Sequence, residues 1–117
     1  MKGGGNIVNV GSITSSYASA GVAAYVACKR AGPGMVAAFE GAPRRNRVNS
    51  ICPGCIDTEM MSKPFESPAG QFGLGADTVP CITKRIAEPW EFAASIACPL
   101  GDESEFVTKA AWFVDAG

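Results

Sequence analysis

The chain has 117 residues, a net charge of −1, no histidine and 47% hydrophobic residues. That balance excludes a basic nucleic-acid-binding surface, because Arg44-Arg45 with Arg47 is too short a cluster and reads as a solvated turn before a strand. No apolar run approaches the roughly 18 residues a membrane helix needs, and Met1-Lys2-Gly3 lacks the apolar core of a signal peptide, so a cytoplasmic, non-membrane protein of one small domain is expected.

In chain order, Asn6 to Val10 is a short apolar run of the kind a parallel strand covered on both faces shows. Ile13 to Ala20, rich in Ser, Thr and Gly, reads as loop. A helix is predicted from about Val22 to Glu40 with Ala, Val and Met on its buried side, interrupted at Gly32-Pro33-Gly34. Proline inside a helix costs about 3 kcal/mol and each glycine about 1. Arg47 to Cys52 is a second strand, and Asp57-Thr-Glu-Met-Met61 starts a short helix with Asp57 or Thr58 near its cap. Residues 63–83 are aperiodic and rich in Pro and Gly, predicting a mobile loop. Glu88 to Leu100 is a helix with proline in its first turn, followed by Asp102-Glu-Ser-Glu105 as a solvated turn. Ala111 to Asp115 is a last strand. Strand–helix–strand–helix–strand predicts an α/β fold with a parallel sheet of about three strands. For so small a sheet the apolar content is high, which predicts uncovered apolar surface and a possible homo-oligomer.

The chemistry concentrates near the start. Tyr25-Val-Ala-Cys-Lys29 places a phenol and an ammonium at i and i+4, one above the other on a single helix face. A neighbouring ammonium favours the phenolate, and a phenol poised in that way does general acid–base work on a substrate oxygen. Ser12, thirteen positions before Tyr25, offers a hydroxyl to the same oxygen. On its own the tyrosine–lysine pair also fits a surface tyrosine beside a solvated lysine.

The surrounding motifs narrow the choice. Gly5-Asn-Ile-Val-Asn-Val-Gly-Ser12, Tyr25-Val-Ala-Cys-Lys29, Arg47-Val-Asn-Ser-Ile-Cys-Pro-Gly54 with Ile56-Asp-Thr58, Arg85-Ile-Ala-Glu-Pro-Trp-Glu91 and Trp112-Phe-Val-Asp-Ala-Gly117 follow one another in order. So ordered, the chain resembles the C-terminal half of a short-chain dehydrogenase/reductase over nearly its whole length. The resemblance implies a partial Rossmann-like fold in which residues 1–117 are the C-terminal portion and residues 63–83 cover the substrate. It implies that Ser12 orients the substrate carbonyl or carbinol, that Tyr25 is the acid/base, and that Lys29 supports the tyrosine and holds the nicotinamide ribose. Pro53 and Gly54 match the turn beside the nicotinamide, and Ile56 and Thr58 match the positions that touch its carboxamide. The implied activity is NAD- or NADP-dependent interconversion of an alcohol and a carbonyl on a small organic substrate. The strand and glycine-rich turn that grip the pyrophosphate are expected upstream, since Gly3-Gly-Gly5 precedes a strand instead of following one.

Against this pattern, Asn46 stands where an aliphatic residue is usual, and Lys109 and Ala116 stand where glycines are usual. Two other readings remain open. One is a non-catalytic remnant or interaction module that binds no dinucleotide, its first strand leaving an unpaired edge. The other is redox or zinc chemistry at Cys52-Pro-Gly-Cys55. A zinc site wants four ligands, and Cys28, Cys81 and Cys98 are not closely paired, so no metal site is expected and all five cysteines are expected as free thiols. Trp90 and Trp112 are expected in the core or an interface, and Tyr17 packed on the core.

Overall fold

The computed structural model describes residues 4–17, 21–37, 45–62 and 81–117. Three parallel strands form one sheet in the order β1 (Gly5–Val10), β2 (Asn46–Pro53), β3 (Ala111–Val114). Helix α1 (Ala23–Ala37) connects β1 to β2, and α2 (Glu59–Ser62) and α3 (Pro89–Leu100) lie between β2 and β3. The fold is the partial Rossmann-like α/β arrangement that the pattern predicts. Residues 38–40 and 63–80, the ends of the expected helix and most of the expected loop, lie outside the described residues. No helix among the described residues is long and apolar enough to cross a membrane.

The centre of the sheet is β2. Val48, Asn49, Ser50, Ile51 and Cys52 are all buried, as a strand hydrogen-bonded on both edges and covered on both faces requires. Its buried residues Asn49 and Ser50 are hydrogen-bonded. Asn49 Nδ2 donates to the Val107 carbonyl at 3.0 Å, and Asn49 Oδ1 accepts from Ala110 N–H at 3.1 Å. Ser50 Oγ donates to the Asn9 carbonyl of β1 at 3.2 Å. The amide of Asn49 thus aims the loop that feeds β3.

Arg47 corrects an expectation. It is half-buried, and its guanidinium donates to the carbonyls of Pro99 (3.0 Å), Val107 (3.1 Å) and Gly101 (2.9 Å). The last turn of α3 contains no basic residue, so Arg47 supplies from the sheet the positive charge that a helix C-terminus favours. Asn6 Nδ2 joins it on the Leu100 carbonyl at 2.6 Å, and Ser104 Oγ bonds the Cys98 carbonyl at 2.6 Å.

Several other details differ from expectation. Helix α1 runs on through Gly32-Pro33-Gly34, where an interruption was expected. Met35 is exposed, and Val22 and Val36 carry the helix's buried contact. Trp90 and Tyr17 are exposed, so neither belongs to the core. The apolar excess does reach the surface, at Ile7 and Val10 of β1 and at Met60, Ile82, Phe106 and Phe113. Asn46 begins β2 with a buried Oδ1 that has no hydrogen-bond partner among the described residues.

Lys109 and Ala116 adopt φ values of 60° and 65°, the left-handed region that disfavours a Cβ. The absence of glycine at these two positions is therefore a real conformational cost. Lys109 still donates its N–H to the Val48 carbonyl at 2.8 Å, and a glycine would keep that bond. Lys109→Gly is expected to raise stability by about 0.5–1 kcal/mol, read as a higher urea midpoint with an unchanged slope.

Candidate active site

Strand β1 ends in Gly11 and Ser12, where the chain turns sharply into a 3-10 turn at Ile13–Ser15. Gly11 N–H bonds the Ile51 carbonyl at 2.7 Å. A Cβ on Gly11 would lie 2.8 Å from Cys52 Sγ and 3.1 Å from Ser15 Oγ, so only glycine lets the turn sit this close to β2. Ser12 is buried. Its Oγ accepts from Thr14 N–H at 3.2 Å, which leaves the hydroxyl's own proton available for donation.

Tyr25 and Lys29 lie on consecutive turns of α1. Lys29 Nζ is 5.7 Å from the centroid of the Tyr25 ring, within cation–π range. The same ammonium donates to the Val10 carbonyl at 3.4 Å, two residues before Ser12. The structure thus brings the phenol and ammonium together and sets them beside the end of β1. Among the described residues no hydrogen bond joins Tyr25 to Ser12.

Ser15, which the sequence reading passed over, ties these parts together. Its hydroxyl accepts from Ser12 N–H at 3.3 Å and donates to the Lys29 carbonyl at 2.8 Å. The Lys29 carbonyl needs this donor because the residue four positions on is Pro33, which has no N–H to complete the helix ladder. The proline expected to interrupt the helix instead frees a carbonyl, and the Ser12 turn fastens to it. The signal was present in the sequence as a proline four residues after the lysine. Arg30 adds a second link, NH2 to the Ser16 carbonyl at 3.2 Å.

Pro53, Gly54, Ile56 and Thr58 lie at the carboxyl end of β2, the same end of the parallel sheet as Ser12. In open α/β sheets ligands bind at the carboxyl ends of strands. Gly54 N–H bonds the Val114 carbonyl at 3.0 Å, and a Cβ there would come within 2.9 Å of Asp115 Cα and Cβ. Ile56 forms an isolated parallel bridge with Ala87. The bonds of that bridge are made by Cys55 and Asp57, through Ala87 N–H to the Cys55 carbonyl (3.0 Å) and Asp57 N–H to the Ala87 carbonyl (2.9 Å). Ile56 therefore keeps its own backbone donor and acceptor turned away from Ala87. The Thr58 carbonyl receives Met61 N–H at 2.8 Å and opens α2.

A cavity of about 250 Å³ lies beyond these residues, lined by Cys55, Ile56, Thr83, Arg85, Phe92 and Asp115 among others. It includes none of Ser12, Tyr25 and Lys29. The two cysteines of the Cys-x-x-Cys are separated by environment: Cys52 is wholly buried in β2, and Cys55 lines this cavity. Neither opens a helix. All five cysteines are free.

At the cavity's rim Arg85 grips Glu91 with both nitrogens, NH1 to Oε2 at 2.6 Å and NH2 to Oε1 at 2.7 Å. Glu91 also accepts Glu88 N–H at 2.9 Å, reaching back over the first turn of α3. The guanidinium and then the Glu88 amide hold the Glu91 carboxyl down at about 2, from an ordinary 4.5, and the hydrogen bond that Arg85 donates to Glu91 raises Arg85 in turn.

The segments so placed match known proteins. A family model described as Enoyl-(Acyl carrier protein) reductase matches residues 1–117. The short-chain dehydrogenase anuF of Penicillium roqueforti is 35% identical over 98% of this chain and 42% of its own length. Two solved structures superpose with TM-scores of 0.80 and 0.79. They are a 4-hydroxyisoleucine dehydrogenase mutant complexed with NADH and succinate (30% identity, 96% of this chain, 46% of that one) and BdcA in complex with NADPH (32%, 98% and 46%). The chain belongs to the short-chain dehydrogenase/reductase family. It spans about half the length of the relatives it matches, which are named dehydrogenases or reductases.

Two predictions come from this geometry. Ser15→Ala, which strips the Lys29 carbonyl of its donor, is expected to cost about 1–2 kcal/mol. In a Pro33→Ala background, where the helix amide is restored, the same change should cost less by at least about 0.5 kcal/mol, measured by a double-mutant cycle in urea. The depressed Glu91 carboxyl contributes stability that is complete above its ordinary value and lost as pH falls through about 2. Arg85→Gln should therefore flatten the fall in Tm with pH across that acid window and leave its neutral-pH slope alone.

Proposed function

We propose that this chain carries the catalytic portion of an NAD(P)-dependent oxidoreductase that interconverts an alcohol and a carbonyl on a small organic substrate. The observation that carries this reading is the Lys29 ammonium over the Tyr25 ring, beside the end of β1 that bears Ser12. The residues at the end of β2 suit a nicotinamide. Its carboxamide asks for one donor and one acceptor, and Ile56 has a backbone N–H and carbonyl without partners among the described residues, next to the Thr58 hydroxyl.

When bound, the nicotinamide supplies or receives the hydride. The rest falls to this chain. Tyr25 gives its phenolic proton to the substrate oxygen in reduction and takes it back in oxidation. Lys29 holds positive charge beside the phenol, favouring the form that must follow proton release, and its ammonium has hydrogen bonds to spare for a ribose. Ser12 donates its free proton to the same substrate oxygen, steadying the charge that develops there. Pro53 and Gly54 shape the turn along which the ring would lie. In this reading residues 63–83 cover the substrate.

The outer edge of β1, which pairs with no strand among the described residues and exposes Ile7 and Val10, favours a second reading, an interaction module that binds no dinucleotide. Calorimetric titration of the 117-residue chain separates the two. The catalytic reading expects submillimolar affinity for NADH or NADPH, weakened at least about tenfold, or about 1.4 kcal/mol, by Lys29→Met. Tyr25→Phe should leave that affinity nearly intact while lowering turnover of an alcohol or carbonyl substrate by about 10²-fold or more. No binding of either nucleotide at millimolar concentration would favour the interaction module.

A further inference from the structure

Two thiols have no part in the proton chemistry above, one on the wall of a recess and one in contact with residues that line it. Cys55 lines the 250 Å³ cavity together with Thr83 and Arg85. Cys81 is buried behind those same two residues: its Sγ is 3.7 Å from Thr83 Oγ1 and 3.6 Å from the Arg85 carbonyl oxygen. The pairing of segments places Cys81 more closely still. Ala87 N–H bonds the Cys55 carbonyl, and the Ala87 carbonyl receives Asp57 N–H. Carried two residues back along both segments, a parallel ladder would set the Arg85 carbonyl against the Cys55 N–H. The Cys81 thiol takes that carbonyl instead, at the place where the ladder would have met Cys55.

We propose that Cys55 and Cys81 form a peroxide-responsive thiol pair that closes into a disulfide across one wall of this cavity. Their surroundings divide the labour. Burial, and then the charge on Cys81, pushes the Cys55 thiol up. Burial acts upward at Cys81 as well, but hydrogen bonds from the Thr83 side chain and from the backbone at Arg85, Lys84 and Thr83 outweigh it and bring Cys81 down. Cys81 is therefore the more readily ionised of the two and takes the attacking role, with Cys55 the resolving thiol. Hydrogen peroxide is near water in size, and the cavity has room for several waters at roughly 30 Å³ each.

The Cys81 thiolate attacks one peroxide oxygen; an S–O bond forms, the O–O bond breaks, and hydroxide leaves to become water. The Cys55 sulfur then attacks the sulfenic sulfur. An S–S bond forms, the S–O bond breaks, and the departing hydroxide takes the Cys55 proton as a second water. Peroxide gains the two electrons that the thiols lose. The link would pin the turn at residues 81–84 to the end of β2, beside Gly54 and Ile56.

The test uses the full chain carrying Cys28→Ser and Cys98→Ser, which removes the exposed thiols. It is treated with hydrogen peroxide, alkylated and digested for mass spectrometry, with the unsubstituted chain in parallel as a guard against disturbed folding. The expected product is a Cys55–Cys81 linked peptide two hydrogens lighter than its parts, with both thiols lost to alkylation together. Adding Cys55→Ser should leave a dimedone-reactive sulfenic acid at Cys81. The proposal is overturned if both thiols stay alkylatable in native protein under peroxide that oxidises Cys28 and Cys98 in the unsubstituted chain, or if Cys81 links to Cys52. Neither result depends on nucleotide binding.

Discussion

Burial of β2 on every side is the constraint from which most of the structure follows. A strand in that position has no water to satisfy its polar groups, and each one left unmet costs about 1–3 kcal/mol. The chain nevertheless places Arg47, Asn49 and Ser50 there. Each is met by a different neighbour: Arg47 by the end of α3, Asn49 by the loop before β3, Ser50 by β1. The strand's polarity therefore sets the order in which the other elements gather around it. Apolar residues at 47 and 49 would fill space equally well but would not specify which loop lies where.

The same geometry assembles the candidate site. Parallel strands bring all their carboxyl ends to one end of the sheet, so Ser12, the 53–58 turn and Asp115 converge without being near in sequence. Lys29 reaches them from α1 because the helix returns along the sheet between β1 and β2. Gly11 and Gly54 permit the close approaches this needs, one against Cys52 and one against Asp115.

How much of this the sequence disclosed varies from residue to residue. The strands were visible at 6–10, 47–52 and 111–115, the first as a short apolar run, although β2 is the strand whose residues are buried on both faces. Glu88 and Pro89 marked the start of α3, and the i, i+4 spacing of Tyr25 and Lys29 placed them on one helix face. Local rules failed where tertiary partners changed the outcome. Pro33 did not interrupt α1, and a serine from another segment takes the place of the missing amide. Arg47 looked like surface charge, because a distant helix terminus leaves no trace in its neighbours. The bond from Thr14 N–H to Ser12 Oγ lies within the turn and is not disclosed by the spacing of Ser12 from Tyr25. Residues 63–80 carry no periodicity from which substrate could be read.

One feature of α3 reaches beyond its own twelve residues. The helix ends without a basic residue and closes its final carbonyls on side chains borrowed from β1 and β2. Its end charge is thus uncompensated until the sheet has formed, and the sheet's central arginine lacks two of its three carbonyl partners until the helix has docked. Neither gains its full stability first. The two elements accordingly belong to a single cooperative unit, in which fraying at Leu100 weakens a strand on the other side of the core.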